Sequence, residues 1–326
     1  MAKEHFLSKR DIQSLDVAKL YYQSGKSQQE IAAIMGLSRP TIAKLLQHAQ
    51  DLGFVQIRIC DPREHTDELA ERIQERYRLD EVRLIPSPPE HDLDRLRQEL
   101  GKAAARMLEK LVRDGDCIGI EWSNTIQAMA KALVRQNRKQ VKVVQLRGSD
   151  TQMQQNLNEA QSIHRICPAF QAEGETLNLP CVFDQLHTKN LMEKENPIRR
   201  VLESGKQCRI AVFTVGAAEA DSPLFSSGLF SDTEIAHLLQ HAVGSICARF
   251  VNREGQICLP DLNNRTIGIR LPDLRHKEER LLIAGGSHKA AAIHTTLKYG
   301  YANRLVSDER TARHIMQHNS SAGIAL

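Results

Sequence analysis

The chain has 326 residues, which favours two domains over one, and its 41% apolar and 26% charged content excludes wholesale disorder. No uncharged apolar run approaches the roughly 18 residues a membrane helix needs. The net charge of +4 is too small to mark a nucleic-acid partner alone, but residues 1–60 hold +3 of it, with 8 Lys and Arg against 5 Asp and Glu. A DNA-reading module would place its excess there.

Lys3, Glu4, Lys9 and Arg10 sit where a secretory leader would need an apolar stretch, so a cytoplasmic protein with no membrane partner is expected. The seven cysteines form no C-x-x-C pair and mostly lie in apolar runs, as reduced thiols acting as small hydrophobes would.

Between residues 11 and 52 the apolar spacing is helical, with stripes at Leu15, Ala18 and Tyr22, at Ile31, Ala32 and Met35, and at Ile42, Leu45 and Leu46. Ser27 with Glu30 is the S-x-x-E capping box of a second helix, which stops at Gly36. Ser38 then caps a third helix, with Pro40 in its first turn. Three helices with this tight Gly-Leu-Ser connection make a helix-turn-helix. Its third helix presents Arg39, Pro40, Thr41 and Lys44, with the capping Ser38 beside them, to base edges and phosphates; Gln28 and Gln29 open the second helix, where a phosphate is favoured. The alternation at 54–59 predicts a strand, and the charged stretch 61–80 a linker helix, giving domains 1–60, 61–80 and 81–326.

From residue 81 strands alternate with helices. Strands are expected at 82–85, 117–120, 141–146, 210–215, 245–251, 281–284 and 304–306. Helices are expected at 94–112, 125–135, 155–167, 190–203, 290–299 and 309–317. This alternation predicts an α/β fold, a Rossmann-like parallel sheet covered on both faces, with ligands at the carboxyl ends of its strands. Three loops fit that place: 121–125 (Glu-Trp-Ser-Asn-Thr), 147–149 (Arg-Gly-Ser) and 284–289 (Ala-Gly-Gly-Ser-His-Lys). Each offers small residues, hydroxyls and backbone N–H groups opening into a helix, and Arg147 and Lys289 add positive charge. A phosphate is the natural occupant. His237/His241 and His314/His318 are i, i+4 pairs without a third ligand, so no metal and no cofactor are expected.

At this point the chain resembles the SorC/DeoR sugar-binding transcriptional regulators over nearly its whole length. The marks are YYQSGKSQQEIAAIMGLSRPTIAKLL (residues 21–46), GDCIGIEWSNT (115–125), QLRGS (145–149), RTIGI (265–269), AGGSHKAAAI (284–293) and YGYANRLVSDERTA (299–312). The resemblance implies an effector domain related in fold to ribose-5-phosphate isomerase and glucosamine-6-phosphate deaminase. It implies phosphate contacts at Thr125 and Arg147 and a third ligand contact at Lys289. Ser123, Asn124, Gln145, Gly148, Gly285 and Gly286 would complete the pocket. Ser123 replaces a glycine common in the family, and Ser245 stands where many members carry an acid.

The expected function is therefore regulation of a sugar-catabolic operon. The expected partners are double-stranded operator DNA, a phosphorylated sugar effector and further copies of the chain in a homodimer or homotetramer. The competing reading is an isomerase or deaminase on the same fold, for which Glu121 and His288 are the nearest acid–base candidates. A chemically reactive Lys289, forming a Schiff base with an aldehyde sugar, is a further alternative.

Overall fold

A computed structural model describes residues 8–55, 66–149, 153–220, 222, 225 and 228–317, with the backbone alone for 153–161. The chain divides after residue 64 into two units. In the first, helix α1 (Lys9–Ala18) opens on a Ser8–Asp11 capping box, α2 (Gln28–Met35) on the expected Ser27–Glu30 box, and α3 (Arg39–Asp51) on Ser38. Gly36 ends α2 at φ +65°, the left-handed conformation that only glycine enters without steric cost. The three helices close over Val17, Ala18, Ile31, Ile42, Leu45, Leu46 and Ala49, with Ala32 and Leu37 packed at the edge. His48 Nε2 on α3 meets Asp11 Oδ1 on α1 at 2.7 Å.

Two expectations here are corrected. The stripe on the first helix is Ser14, Val17 and Ala18, and Tyr22 is 42% exposed while Tyr21 packs inward. The cause is a π-helical stretch, Lys19–Gln23, whose wider turn shifts the phase of every residue after Ala18. Phe54 and Val55 are irregular and pack on the helices; the rest of the strand expected at 54–59 lies outside the described residues.

The second unit begins with α4 (Thr66–Tyr77), β1 (Glu81–Ile85), α5 (Leu93–Leu111), β2 (Cys117–Ile120), α6 (Asn124–Ala132), β3 (Lys142–Gln145), α7 (Met153–Phe170) and β4 (Glu173–Glu175). It continues through α8 (Leu186–Met192), α9 (Asn196–Gln207), β5 (Ile210–Phe213), β6 (Val215–Ala217), α10 (Asp232–His241), β7 (Gly244–Ile246) and β8 (Arg249–Val251). It closes with α11 (Pro260–Arg265), α12 (Leu271–Arg275), β9 (Glu279–Ile283), α13 (Ala290–Lys298), β10 (Arg304–Asp308) and α14 (Glu309–Gln317). Seven strands form one parallel sheet in the order β1-β10-β9-β5-β2-β3-β4.

Alternation along each strand divides the core between the two faces. Ile210, Val212, Leu281, Ile283 and Val306 pack under α5, α6 and α7; Ala211, Phe213, Leu282 and Leu305 pack under α4, α13 and α14. Helix α4 falls within the segment 61–80, and it packs on β1 and α14 with Ile73 fully buried in this second core. The described cysteines are free thiols; burial pushes Cys117 up to about 12 and Cys167 and Cys258 up to about 11, away from the reactive thiolate form.

The wholly parallel expectation is corrected by a small antiparallel sheet, β6-β7-β8. The run 210–215 is not one strand: it breaks at Thr214 and its end crosses into this second sheet. The run 245–251 is a hairpin, because Cys247 and Ala248 take φ of 49° and 62°. Two central residues at positive φ make the two-residue turn that matches strand twist, and its usual Asn-Gly signal is absent here. The helix expected at 190–203 is two helices, α8 and α9, since Pro197 in the first turn of α9 has no N–H with which to continue α8. The helix expected at 125–135 ends at Ala132, where Leu133 turns extended and the next N–H, of Val134, donates to Glu109 Oε1 at 2.7 Å.

Helices α5 and α6 touch at Gly101, where a Cβ would stand 2.6 Å from the backbone of Ala128 and Met129. Gly101→Ala should destabilise the second unit by about 1–3 kcal/mol through overpacking. Thermal denaturation would show a lowered Tm; an unchanged Tm would mean that the two helices part without cost.

Candidate functional site

In the first unit, Arg39, Pro40, Thr41 and Lys44 are all exposed at the start and on the outer face of α3. Buried Ile42, Leu45 and Leu46 alternate with them at helical spacing and face the core. The Ser38 hydroxyl is occupied as a cap, 3.3 Å from Thr41 N and 2.8 Å from Thr41 Oγ1. Gln28 and Gln29 form the first turn of α2, Gln29 exposed and Gln28 half-buried. The first two turns of one short helix therefore offer an exposed guanidinium, hydroxyl and ammonium.

In the second unit the sheet order reverses between β2 and β5, since β2 continues through β3 and β4 to one side and meets β5, β9, β10 and β1 on the other. Open parallel sheets bind ligands outside the carboxyl ends of their strands at such a point. A cavity of about 350 Å³ lies there, lined by residues that follow β2, β3, β5 and β9, by Ser245 of β7 and by the first turns of α5.

Glu121, immediately after β2, braces this region. Its N–H donates to Val212 O at 2.9 Å, Oε2 accepts from Thr214 N at 3.0 Å, and Oε1 accepts from Arg147 Nε at 3.4 Å. Arg147 also donates through Nη1 to Gly148 O at 2.9 Å. Both charged side chains are buried, so each offsets much of the other's desolvation cost.

The positive potential comes from three sources. Helix α6 points its first turn at the cavity: Ser123 caps it, accepting from Ile126 N at 3.1 Å, and the N–H groups of Asn124 and Thr125 have no intrahelical acceptor. Lys289, half-buried at the N-cap of α13, makes no ion pair among the described residues. Its pKa is lowered by desolvation and then by Arg97, against the pull of Glu121 and Glu219. Arg97 reaches the cavity from α5, paired at 2.8 Å with Asp94.

Of the residues expected from sequence, Ser123, Asn124, Thr125, Arg147, Gly285 and Lys289 are brought together around this cavity. Three others are not in its wall. Gln145 is turned to the neighbouring loop, accepting from Leu177 N at 2.8 Å and donating to Ser149 Oγ at 3.2 Å. Gly148 serves close packing: a Cβ there would lie 2.7 Å from the carbonyl oxygens of Leu179 and Pro180. The Gly286 N–H is taken by Asp308 Oδ1 at 3.1 Å and Thr311 Oγ1 at 2.8 Å. Arg97, Thr214, Glu219 and Ser245 line the cavity without having been selected as site residues from sequence. Thr214 was legible only as part of an apolar strand, and Arg97 only as one charge on an amphipathic helix. His237 and His241 pack with ring centroids 4.4 Å apart and planes tilted by 47° on α10, and no cluster of three metal-ligating side chains occurs among the described residues. His318 lies outside them. No described helix is long and apolar enough to cross a membrane.

Residues 61–317 match the Sugar-bind family of sugar-binding domains. The chain is 42% identical over 300 residues to the deoxyribonucleoside regulator of Bacillus subtilis (strain 168), covering 92% of this chain and 96% of that protein. It is 33% identical over 303 residues to the uncharacterized transcriptional regulator YjhU of Escherichia coli (strain K12), covering 91% and 92%. The full-length sorbitol operon regulator SorC from Klebsiella pneumoniae superposes with a TM-score of 0.78 over 95% of this chain and 99% of its own. At 22% identity that likeness shows the fold alone.

Glu121→Gln should leave the Arg147 guanidinium buried without its counter-charge, at a cost on the order of 2–4 kcal/mol. Denaturant titration would read this as a lower midpoint; an unchanged midpoint would show that the brace carries no stability.

Proposed function

This chain belongs to the SorC/DeoR family of sugar-binding transcriptional regulators, and from that premise we propose that a phosphorylated sugar bound at the carboxyl ends of β2, β3, β5 and β9 controls its affinity for operator DNA. It is a regulator and not an enzyme, and it acts where the operator is, in the cytoplasm. The observation that carries the effector reading is the cavity at the sheet's reversal point, where the N-terminus of α6, Lys289 and Arg97 converge. Fixed backbone donors, a helix dipole and two cations form a site for a compact anion. The residues that an isomerase would recruit are otherwise engaged: Glu121 is held between Arg147 and Thr214, and His288 sits on the exposed rim.

In this reading Thr125, Arg147 and Lys289 hold the phosphate, with Ser123, Asn124 and Gly285 beside them. Gln145, Gly148 and Gly286 support the loops from behind. Arg39, Thr41 and Lys44 read and grip the major groove, and Gln28 and Gln29 touch the backbone. A homodimer or homotetramer presents pairs of recognition helices to operator half-sites, and the effector acts through unequal affinity for two arrangements of them, typically about 1–3 kcal/mol of coupling. Covalent capture is the second reading: Lys289 lines the cavity near Arg97, and burial, then Arg97, lower its pKa in the direction a Schiff base needs. Borohydride trapping followed by mass measurement separates the two.

Selection of genomic fragments, then anisotropy against a panel of sugar phosphates, tests the function. Arg39→Ala should weaken operator binding at least tenfold and leave effector affinity unchanged. Arg147→Lys, which keeps a counter-charge beside Glu121, should weaken the effector response while the operator is still bound; an intact response sinks the pocket assignment. Effector affinity should also fall with rising pH before the ordinary lysine value of 10.5, because the anion prefers the ammonium form and the Lys289 pKa is lowered. Titration calorimetry between pH 7.5 and 10 should show this slope, and Lys289→Met should remove it.

A further inference from the structure

Buried polar groups in folded proteins nearly always have a hydrogen-bond partner. Two side chains in the wall of the effector cavity depart from this: the indole Nε1 of Trp122 and the hydroxyl Oγ1 of Thr214 are buried and meet no hydrogen-bonding group. Thr214 is 8% exposed. The other residues with an orphaned buried side-chain atom, such as Arg280 and Ser307, do not line this cavity.

The two orphans share one place in the fold. Trp122 follows the brace residue Glu121 at the end of β2, and Thr214 follows β5, with its N–H held on Glu121 Oε2 at 3.0 Å. They stand on either side of the sheet's reversal point. Each unpaired group costs about 1–3 kcal/mol, which Val at 214 would avoid with little change of shape and Phe at 122 would avoid with loss of one ring of the indole. Glu121 meets only the backbone of Thr214, so the side-chain hydroxyl is not needed for the brace.

We propose that Trp122 and Thr214 read hydroxyl oxygens of the effector and set its specificity. An indole N–H can only donate, so Trp122 requires an oxygen acceptor on the sugar, while the Thr214 hydroxyl can donate to or accept from a sugar hydroxyl. The phosphate lies toward α6 and Lys289. The ligand class narrows to sugar phosphates that carry oxygens at both positions. A site built around hydrogen bonds rejects an analogue lacking one of them far more strongly than an apolar pocket rejects an added one. This inference rests on the phosphosugar reading of the cavity and deepens it.

The test is calorimetry of the full chain with pentose and hexose monophosphates and their monodeoxy analogues, such as ribose 5-phosphate against 2-deoxyribose 5-phosphate. Wild type should prefer one hydroxylated sugar phosphate over a monodeoxy analogue by tenfold or more. In Thr214→Val or Trp122→Phe that ratio should collapse toward one. The ligand-free Thr214→Val protein should melt no lower than wild type, since the change removes an unpaired hydroxyl. A lower Tm marks a structural hydroxyl and overturns its assignment. A ratio preserved in both variants, or no discrimination by wild type, overturns the hydroxyl-reading pair and leaves the phosphosugar reading standing. Wild type that binds no sugar phosphate overturns both.

Discussion

A single buried carboxylate joins three of the strands whose ends line the cavity at the sheet's reversal point. Glu121 leaves β2, receives Arg147 from β3 on one oxygen and receives the backbone of Thr214, after β5, on the other. A buried charge is tolerable only when it is paired and hydrogen-bonded, and here the pairing runs across the strands rather than along one of them. The cost of separating these groups therefore keeps the strand ends in register. The cavity they enclose can be polar because its floor is already electrostatically satisfied.

A second carboxylate does the same for the cation loop. Asp308, at the end of β10, accepts from Gly286 N and Thr311 Oγ1 on Oδ1 and from Ser87 Oγ and Thr311 N on Oδ2. It ties the loop that carries Lys289 to α14. Lys289 is the N-cap of α13, and about one and a half turns later His294 Nδ1 lies 2.7 Å from the hydroxyl of Tyr77 on α4. Arg76 of α4 also donates to the carbonyl of Met316 on α14 at 2.7 Å. Both helices that hold the cation loop are thus bonded to α4, the first helix after the DNA-binding unit in the chain.

Legibility varied with the range of the interaction. The capping boxes, the Gly36 stop and the exposure of Arg39, Thr41 and Lys44 are local consequences of backbone donors and helical period, and they were readable. Most strands of the parallel sheet were readable too, because buried strands are continuous runs of Val, Ile and Leu. The breaks within runs were not. Nothing local distinguishes 210–215, which changes sheets at Thr214, from an uninterrupted strand. Nor does Cys247-Ala248 announce a hairpin, since its positive φ angles are imposed by the pairing of β7 with β8. The π-helical turn after Ala18 likewise shows no signature in residue type.

The amino-acid sequence by itself determined the two-part organisation, the helix-turn-helix, the α/β effector domain and the three loops that bear Ser123, Arg147 and Lys289. Each depends on periodicity and turn chemistry within about ten residues. Tertiary structure decided which of those side chains face the cavity. It turned Gln145 and the Gly286 N–H to structural duty, and it brought in Arg97, Thr214 and Glu219 from segments with no motif. The physical reason is that a pocket at a sheet's reversal point is assembled from strands far apart in sequence. Their side chains meet around one cavity only when folding brings those strand ends together.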